Sequence, residues 1–180
     1  MAPEPKQNTK YLTTTAMMTA VLCVLGPLSL PIGPVPVSLA TMGIYLTMYI
    51  LGTKRGVIAC LLYVLIGLVG LPVFSGFSGG ITKLAGPTGG YIVGYLPMAW
   101  VTGLVVSRFE KKPLLCIVGM ELATWMLYLM GTAWLATSAG MTFGKAFGIG
   151  VLPFILSDLI KIIISAVIGP VLKKRLERFL

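Results

Sequence analysis

Six apolar stretches, near residues 11–30, 36–53, 56–72, 90–109, 114–136 and 147–172, take up most of this chain and restrict its choice of solvent. A helix needs about 20 apolar residues to cross the hydrocarbon core of a bilayer, and these stretches come close to that length or exceed it. Charged residues make up only 11% of the 180, against roughly 25% in a soluble domain. With 57% hydrophobic residues, a water-soluble fold of this size would leave large apolar areas in water. The sequence therefore predicts an all-α integral membrane protein, one six-helix bundle over residues 1–180. Its first apolar stretch reads as a retained span rather than a leader. The leading "MAPEPKQNTK" is polar and reads as frayed.

Charge placement orients the bundle. With the N-terminus in the cytoplasm, the inner segments carry Lys6, Lys10, Lys54, Arg55, Arg108, Lys111, Lys112, Lys173, Lys174, Arg175 and Arg178, which is 11 of the 14 basic residues. Lys83 and Lys145 fall in outer connections, and Lys161 falls within a span. Such asymmetry is the positive-inside pattern, with both termini cytoplasmic. It also accounts for the net charge of +9, so lipid and not nucleic acid is the expected partner of the basic residues. The outer connections, near 27–37, 72–90 and 137–148, are long and rich in glycine, whereas the inner turns are short. Long loops in a compact fold are commonly binding loops, which puts the candidate binding face outside.

Much chemistry is excluded. Histidine is absent, and Cys23, Cys60 and Cys116 are scattered through apolar sequence. Neither a metal-ligand cluster nor a nucleophile–base pair can be assembled from these residues. No GxxxxGK[ST] phosphate loop occurs. The chain is expected to be neither an enzyme nor a metal or cofactor protein, and it cannot use ATP unaided.

Three charges lie where charge is costly. Asp158 and Lys161, in "PFILSDLIKIIIS", are three apart and share one helix face. Such a pair either fixes the rotation of its helix or clamps a ligand between an acceptor and a donor. Pro153, a turn earlier, is expected to free backbone carbonyls near it. Glu121 heads a stripe with Trp125, Tyr128 and Thr132 on one face of the fifth span. An intramembrane ionisable residue is a functional hypothesis by default. Two such faces would line a polar-tipped cavity with aromatic walls, the usual make-up of a small-molecule site. In "KLAGPTGGYIVGY", Lys83 precedes a glycine cluster that includes Thr88, Gly89, Gly90 and Tyr91. This is either a nest of N–H groups for a carboxylate or a tight turn closing the loop onto the fourth span. On the first span, Ala16 and Ala20 in "TAMMTA" would let another helix approach closely.

The segments "GPTGGYIVGY", "GPVPVSLAT", "ELATWMLYLMGTAWL" and "PFILSDLIKI" together resemble the BioY family, biotin-binding S components of the energy-coupling-factor (ECF) transporters of prokaryotes. The resemblance covers the chain from about residue 10. It implies six helices, an outward pocket covered by loops, and an AxxxA surface, matched by Ala16 and Ala20, that docks on a transmembrane scaffold joined to two cytoplasmic ATPases. The family often has glutamine where this chain has Ala40, which removes one hydrogen bond from the implied site. Biotin suits the residues: Asp158 and Lys161 face its ureido ring, Lys83 or the Gly89–Gly90 backbone meets its carboxylate, and Trp125, Tyr128 and Tyr91 wall the middle. The reverse orientation puts Lys161 on the carboxylate. Rival readings are an S component for thiamin or riboflavin, a structural membrane protein, and an ion-coupled carrier using Glu121.

Overall fold

The computed structural model describes residues 5–31 and 35–176, with side chains from residue 9. Its described residues are mostly helical. In order they form α1 (Pro5–Leu25), a two-residue antiparallel hairpin of β1 (Ser29–Leu30) and β2 (Val37–Ser38), α2 (Ala40–Leu68), α3 (Ile81–Ala85), α4 (Gly89–Phe109), α5 (Pro113–Ser138), α6 (Phe143–Gly150) and α7 (Leu152–Leu176). Four of these, α2, α4, α5 and α7, are long and apolar enough to cross a membrane, and Thr9–Leu25 of α1 is a shorter apolar helix. Residues 5–10, expected to fray, are helical instead. Pro5 at the first helical position is preorganised for that role and loses no hydrogen bond there. The predicted N-terminal tail 1–4 lies outside the described residues.

The 29 residues of α2 were expected as two spans, and the backbone breaks within them. Gly52 sits at φ 70°, ψ −175°, a region essentially reserved for glycine, and the chain reverses there. A Cβ on Gly56 would lie 2.6 Å from Met48 Cε. On a straight helix, eight residues would separate these two by about 12 Å. The halves therefore fold back on each other, and the turn "GTKRG" spans that reversal.

The opposite departure occurs near the C-terminus. The predicted span 147–172 is two helices, α6 and α7, separated at Val151. Pro153 in the first turn of α7 has no N–H to continue the ladder from α6. The carbonyl of Gly150 instead accepts a hydrogen bond from Tyr91 Oη at 2.9 Å.

Interactions sort the connections into two ends. At one end, Arg55 lies over Tyr11, Thr53 Oγ1 meets Ser107 Oγ at 3.5 Å, and Lys173 pairs with Glu110 at 2.7 Å. That end collects Lys54, Arg108, Lys111, Lys112 and the last turn of α7. At the other, Ser38 Oγ donates to the Gly26 carbonyl, Gly76 N–H to Pro27, and Trp134 Nε1 to Gly86. That end carries the glycine-rich connections.

Side chains follow the logic of a membrane bundle. Leu122, Met126 and Leu129 of α5, and Ile160, Ile163 and Val167 of α7, face outward. Thr102, Thr124, Thr132, Ser165, Asp158 and Lys161 are buried. The outward faces of α5 and α7 are apolar, and their polar side chains turn inward because lipid offers them no partner. The most extensive interface joins α4 and α5, where the ring of Tyr91 lies directly on the bare backbone of Gly131.

Gly52→Val tests the reversal. No atom would crowd the new side chain, so the cost is backbone strain of about 1–3 kcal/mol, visible as a lower thermal midpoint in detergent. Gly144→Ala, in open space on α6, is expected to leave the midpoint unchanged or raise it.

Candidate functional site

On α7, Phe154, Asp158 and Lys161 recur at helical spacing on the buried face. Lys161 Nζ donates to Asp158 Oδ1 at 2.7 Å, to the Ser38 carbonyl at 2.7 Å, and to Thr41 Oγ1 at 3.4 Å. An ammonium has three donors, so all are occupied. Asp158 Oδ1 also accepts from Thr41 Oγ1 at 3.3 Å, and Asp158 Oδ2 accepts from Tyr128 Oη at 2.7 Å. The two charged residues, Asp158 and Lys161, are 4% and 7% exposed, so burial is nearly complete and hydrogen bonding is what makes it tolerable. The network ties α7 to the β2 strand, to the first turn of α2 and to α5.

Beside the pair is a cavity of about 40 Å³ at the glycine-rich end. Val35, Pro36 and Leu127 close it with apolar surface, and Tyr91, Tyr95, Tyr128 and Phe154 supply aromatic walls. Its polar groups come from Ser38, Thr41, Asp158 and Lys161. A volume of this size holds a few waters.

The sequence-predicted residues take three positions relative to it. Asp158, Lys161, Tyr91 and Tyr128 line the cavity together. Trp125 stands behind, edge-on to Tyr128 at 5.7 Å and stacked on Phe147 of α6 at 6.4 Å. Glu121 lies one turn before Trp125, half-buried, with its Oε2 atom buried and without a hydrogen-bond partner. Thr88, Gly89 and Gly90 are buried at the start of α4, outside the cavity lining. There the Gly89 N–H donates to the Gly86 carbonyl at 3.0 Å, and Gly90 lies against Trp134. Lys83 is half-buried on α3, and lost hydration lowers its pKa below the ordinary lysine value. Ala16 and Ala20 are exposed on the outward face of α1.

Sequence reasoning missed Ser38, Thr41, Tyr95 and Phe154. Tyr95 and Phe154 were accessible by extending two known stripes, one turn on from Tyr91 and one turn back from Asp158. Thr41 and the Ser38 carbonyl carry no local signal, because their partners are more than a hundred residues away. Ala40 is buried, and its N–H donates to Ser38 Oγ at 3.0 Å.

Comparison with known proteins gives a consistent result. The sequence pattern of the BioY family matches residues 2–178. A probable biotin transporter BioY of Pyrococcus horikoshii is 38% identical over 160 residues, covering 89% of this chain and 94% of that one. The biotin transporter BioY of Thermotoga maritima is 36% identical, covering 92% and 96%. A crystal structure of the S-component for biotin from an ECF-type ABC transporter superposes with a TM-score of 0.89 at 31% identity, covering 96% of this chain and 95% of that chain.

A double-mutant cycle on the pair tests whether the network is energetically one unit. Lys161→Met leaves a buried carboxylate without its cation and is expected to cost about 3–5 kcal/mol. Adding Asp158→Asn should return much of that loss, whereas Tyr128→Phe alone should cost about 1–2 kcal/mol. Thermal unfolding in detergent reads Lys161→Met, Asp158→Asn, the double variant and Tyr128→Phe against the parent, and additive losses in the first three would mean that the pair is not coupled.

Proposed function

The chain belongs to the BioY family, and from that premise we propose that it captures biotin as the substrate-specific S component of an ECF-type transporter. It is a transport protein and not an enzyme. The observation that carries the ligand assignment is the buried Asp158–Lys161 pair on the wall of an aromatic cavity, with every Lys161 donor engaged and one Asp158 acceptor position open.

Biotin's ureido ring offers two N–H donors and one carbonyl acceptor. Three hydrogen bonds reach the Asp158 carboxylate, which has about four acceptor positions, so one ureido N–H can be received directly. Lys161 has no donor to spare. To reach the ureido carbonyl it must release the Ser38 carbonyl or the Thr41 hydroxyl. Ligand capture is thus an exchange of partners at Lys161, and it alters the tie between α7 and the β1–β2 hairpin. Typical small-molecule sites enclose about 300–1,000 Å³, so the walls must also move apart. Tyr91, Tyr95, Tyr128 and Phe154 then flank the apolar middle of the ligand, with Trp125 and Glu121 supporting that wall on the α5 side.

The carboxylate end is assigned to the start of α4. Lys83 supplies a positive charge there, and the helix N-terminus favours an anion near Thr88, Gly89 and Gly90. Tyr91 connects this region to the cavity. The bundle is read as six crossings of the prokaryotic cell membrane, counting the halves of α2 separately, with both termini cytoplasmic and the glycine-rich end outside. Ala16 and Ala20 would dock on the scaffold subunit, and the two partner ATPases would supply the energy that this chain has no nucleotide motif to provide.

Isothermal titration of biotin and biotinamide into the purified protein separates these assignments. Biotin is expected to bind the parent protein tightly. Asp158→Asn should weaken both ligands at least tenfold, a loss of about 1.4 kcal/mol. Lys83→Ala should weaken biotin and leave biotinamide, which lacks the carboxylate, unaffected. Equal discrimination by both variants would overturn this orientation, and no heat with biotin from folded protein would overturn the ligand.

A further inference from the structure

The groove between α1 and the second half of α2 has a character that capture of a vitamin at the other end does not use. It opens at the basic end of the bundle and encloses about 490 Å³. Its walls are Leu12 and Ala16 on one side and Ile58 and Leu62 on the other, and Leu12, Ile58 and Leu62 are exposed to the surroundings. Arg55 stands at its mouth with the guanidinium 3.3 Å from the centre of the Tyr11 ring. From Arg55 to Leu62 the helix advances about 10 Å, so a charged head and an apolar channel follow one another along the helix axis.

The arrangement is polarised. A guanidinium carbon 3.3 Å from the centre of a tyrosine ring gains cation–π energy and leaves the N–H groups that do not face the ring available. Their planar arrangement matches a phosphate in a two-pronged hydrogen bond. No carboxylate among the described residues pairs with Arg55, and at this end Glu110 is already taken by Lys173 at 2.7 Å. The surrounding basic residues, Lys54 among them, raise the local positive potential further.

We propose that this groove is a binding site for one anionic phospholipid. The phosphate sits on Arg55 against Tyr11, and the first part of an acyl chain runs along Leu12, Ile58 and Leu62. A zwitterionic lipid brings its own cation and gains less from Arg55. Because Ala16 forms part of the wall, the lipid and a scaffold helix on the α1 face compete for the same surface, and the lipid occupies it in the undocked chain.

The test uses the full chain reconstituted in bilayers of palmitoyl-oleoyl phosphatidylglycerol and phosphatidylcholine, extracted in mild detergent and examined by native mass spectrometry for retained lipid. The expected result is one phosphatidylglycerol retained in preference to phosphatidylcholine. Arg55→Gln should reduce it about fivefold. Ile58→Trp, which fills the channel and keeps the charge, should reduce it as well, and Lys54→Gln should reduce it less than Arg55→Gln does. Glycerol 3-phosphate, the headgroup without chains, should fail to displace it. Equal retention of phosphatidylcholine, an equal loss in Lys54→Gln, no loss in Arg55→Gln, displacement by glycerol 3-phosphate, or an acidic polypeptide bound in place of lipid would each overturn the site. Thermal unfolding confirms that each variant is folded, and Arg55→Lys, which keeps charge but loses the planar fork, replaces Arg55→Gln if that variant is not.

Discussion

A buried ammonium and a buried carboxylate, 2.7 Å apart on the same face of α7, are the constraint around which the glycine-rich end is organised. Neither charge can be held in a dry interior unless most of its remaining hydrogen-bonding positions are met. Lys161 therefore draws in the Ser38 carbonyl and Thr41, and Asp158 draws in Tyr128. Those three partners come from a hairpin, a helix start and a different helix. Satisfying one ion pair thus brings together three parts of the chain far apart in sequence, residues 38–41, α5 and α7, and leaves a small aromatic cavity at their junction.

The rest of the architecture serves that junction through close approach of backbones. Lipid gives no hydrophobic reward for pressing helices together, so association depends on tight contacts and inward polar groups. Gly131 admits the Tyr91 ring between α4 and α5, and the same tyrosine reaches across to the carbonyl freed at the α6–α7 break. One side chain therefore links the α4–α5 interface to the start of the helix that carries the charges. The break itself follows from Pro153, which cannot extend the α6 ladder.

The two ends of the bundle differ in chemistry and in what they can recognise. The glycine-rich end has few charges, buried polar groups and aromatic walls, which suits a small polar-headed ligand. The basic end has short turns, most of the cations and an apolar groove beside a stacked arginine, which suits the interfacial zone of a membrane. An S component that captures its ligand at one end and answers to partners at the other is consistent with this division.

Sequence alone determined the class of the fold, because the length and apolarity of each stretch are local properties that only a bilayer accommodates. It also singled out Asp158 and Lys161, since a charge within an apolar run is conspicuous wherever the helix goes, Tyr128 through its helical spacing from Glu121, and Tyr91 through the glycine cluster that precedes it. What it did not contain was the set of partners. Ser38 and Thr41 are ordinary residues at an ordinary helix start, and only the packing of α2 against α7 brings them to the pair. The reversal at Gly52 was legible as the turn "GTKRG" between two expected spans, whereas the division of α6 from α7 was not, since the Gly150 carbonyl at that break is taken by Tyr91, 59 residues away. Covalent order dictates where helices are favourable, but satisfaction of buried polar groups is a property of the assembled interior, and tertiary structure alone decides it.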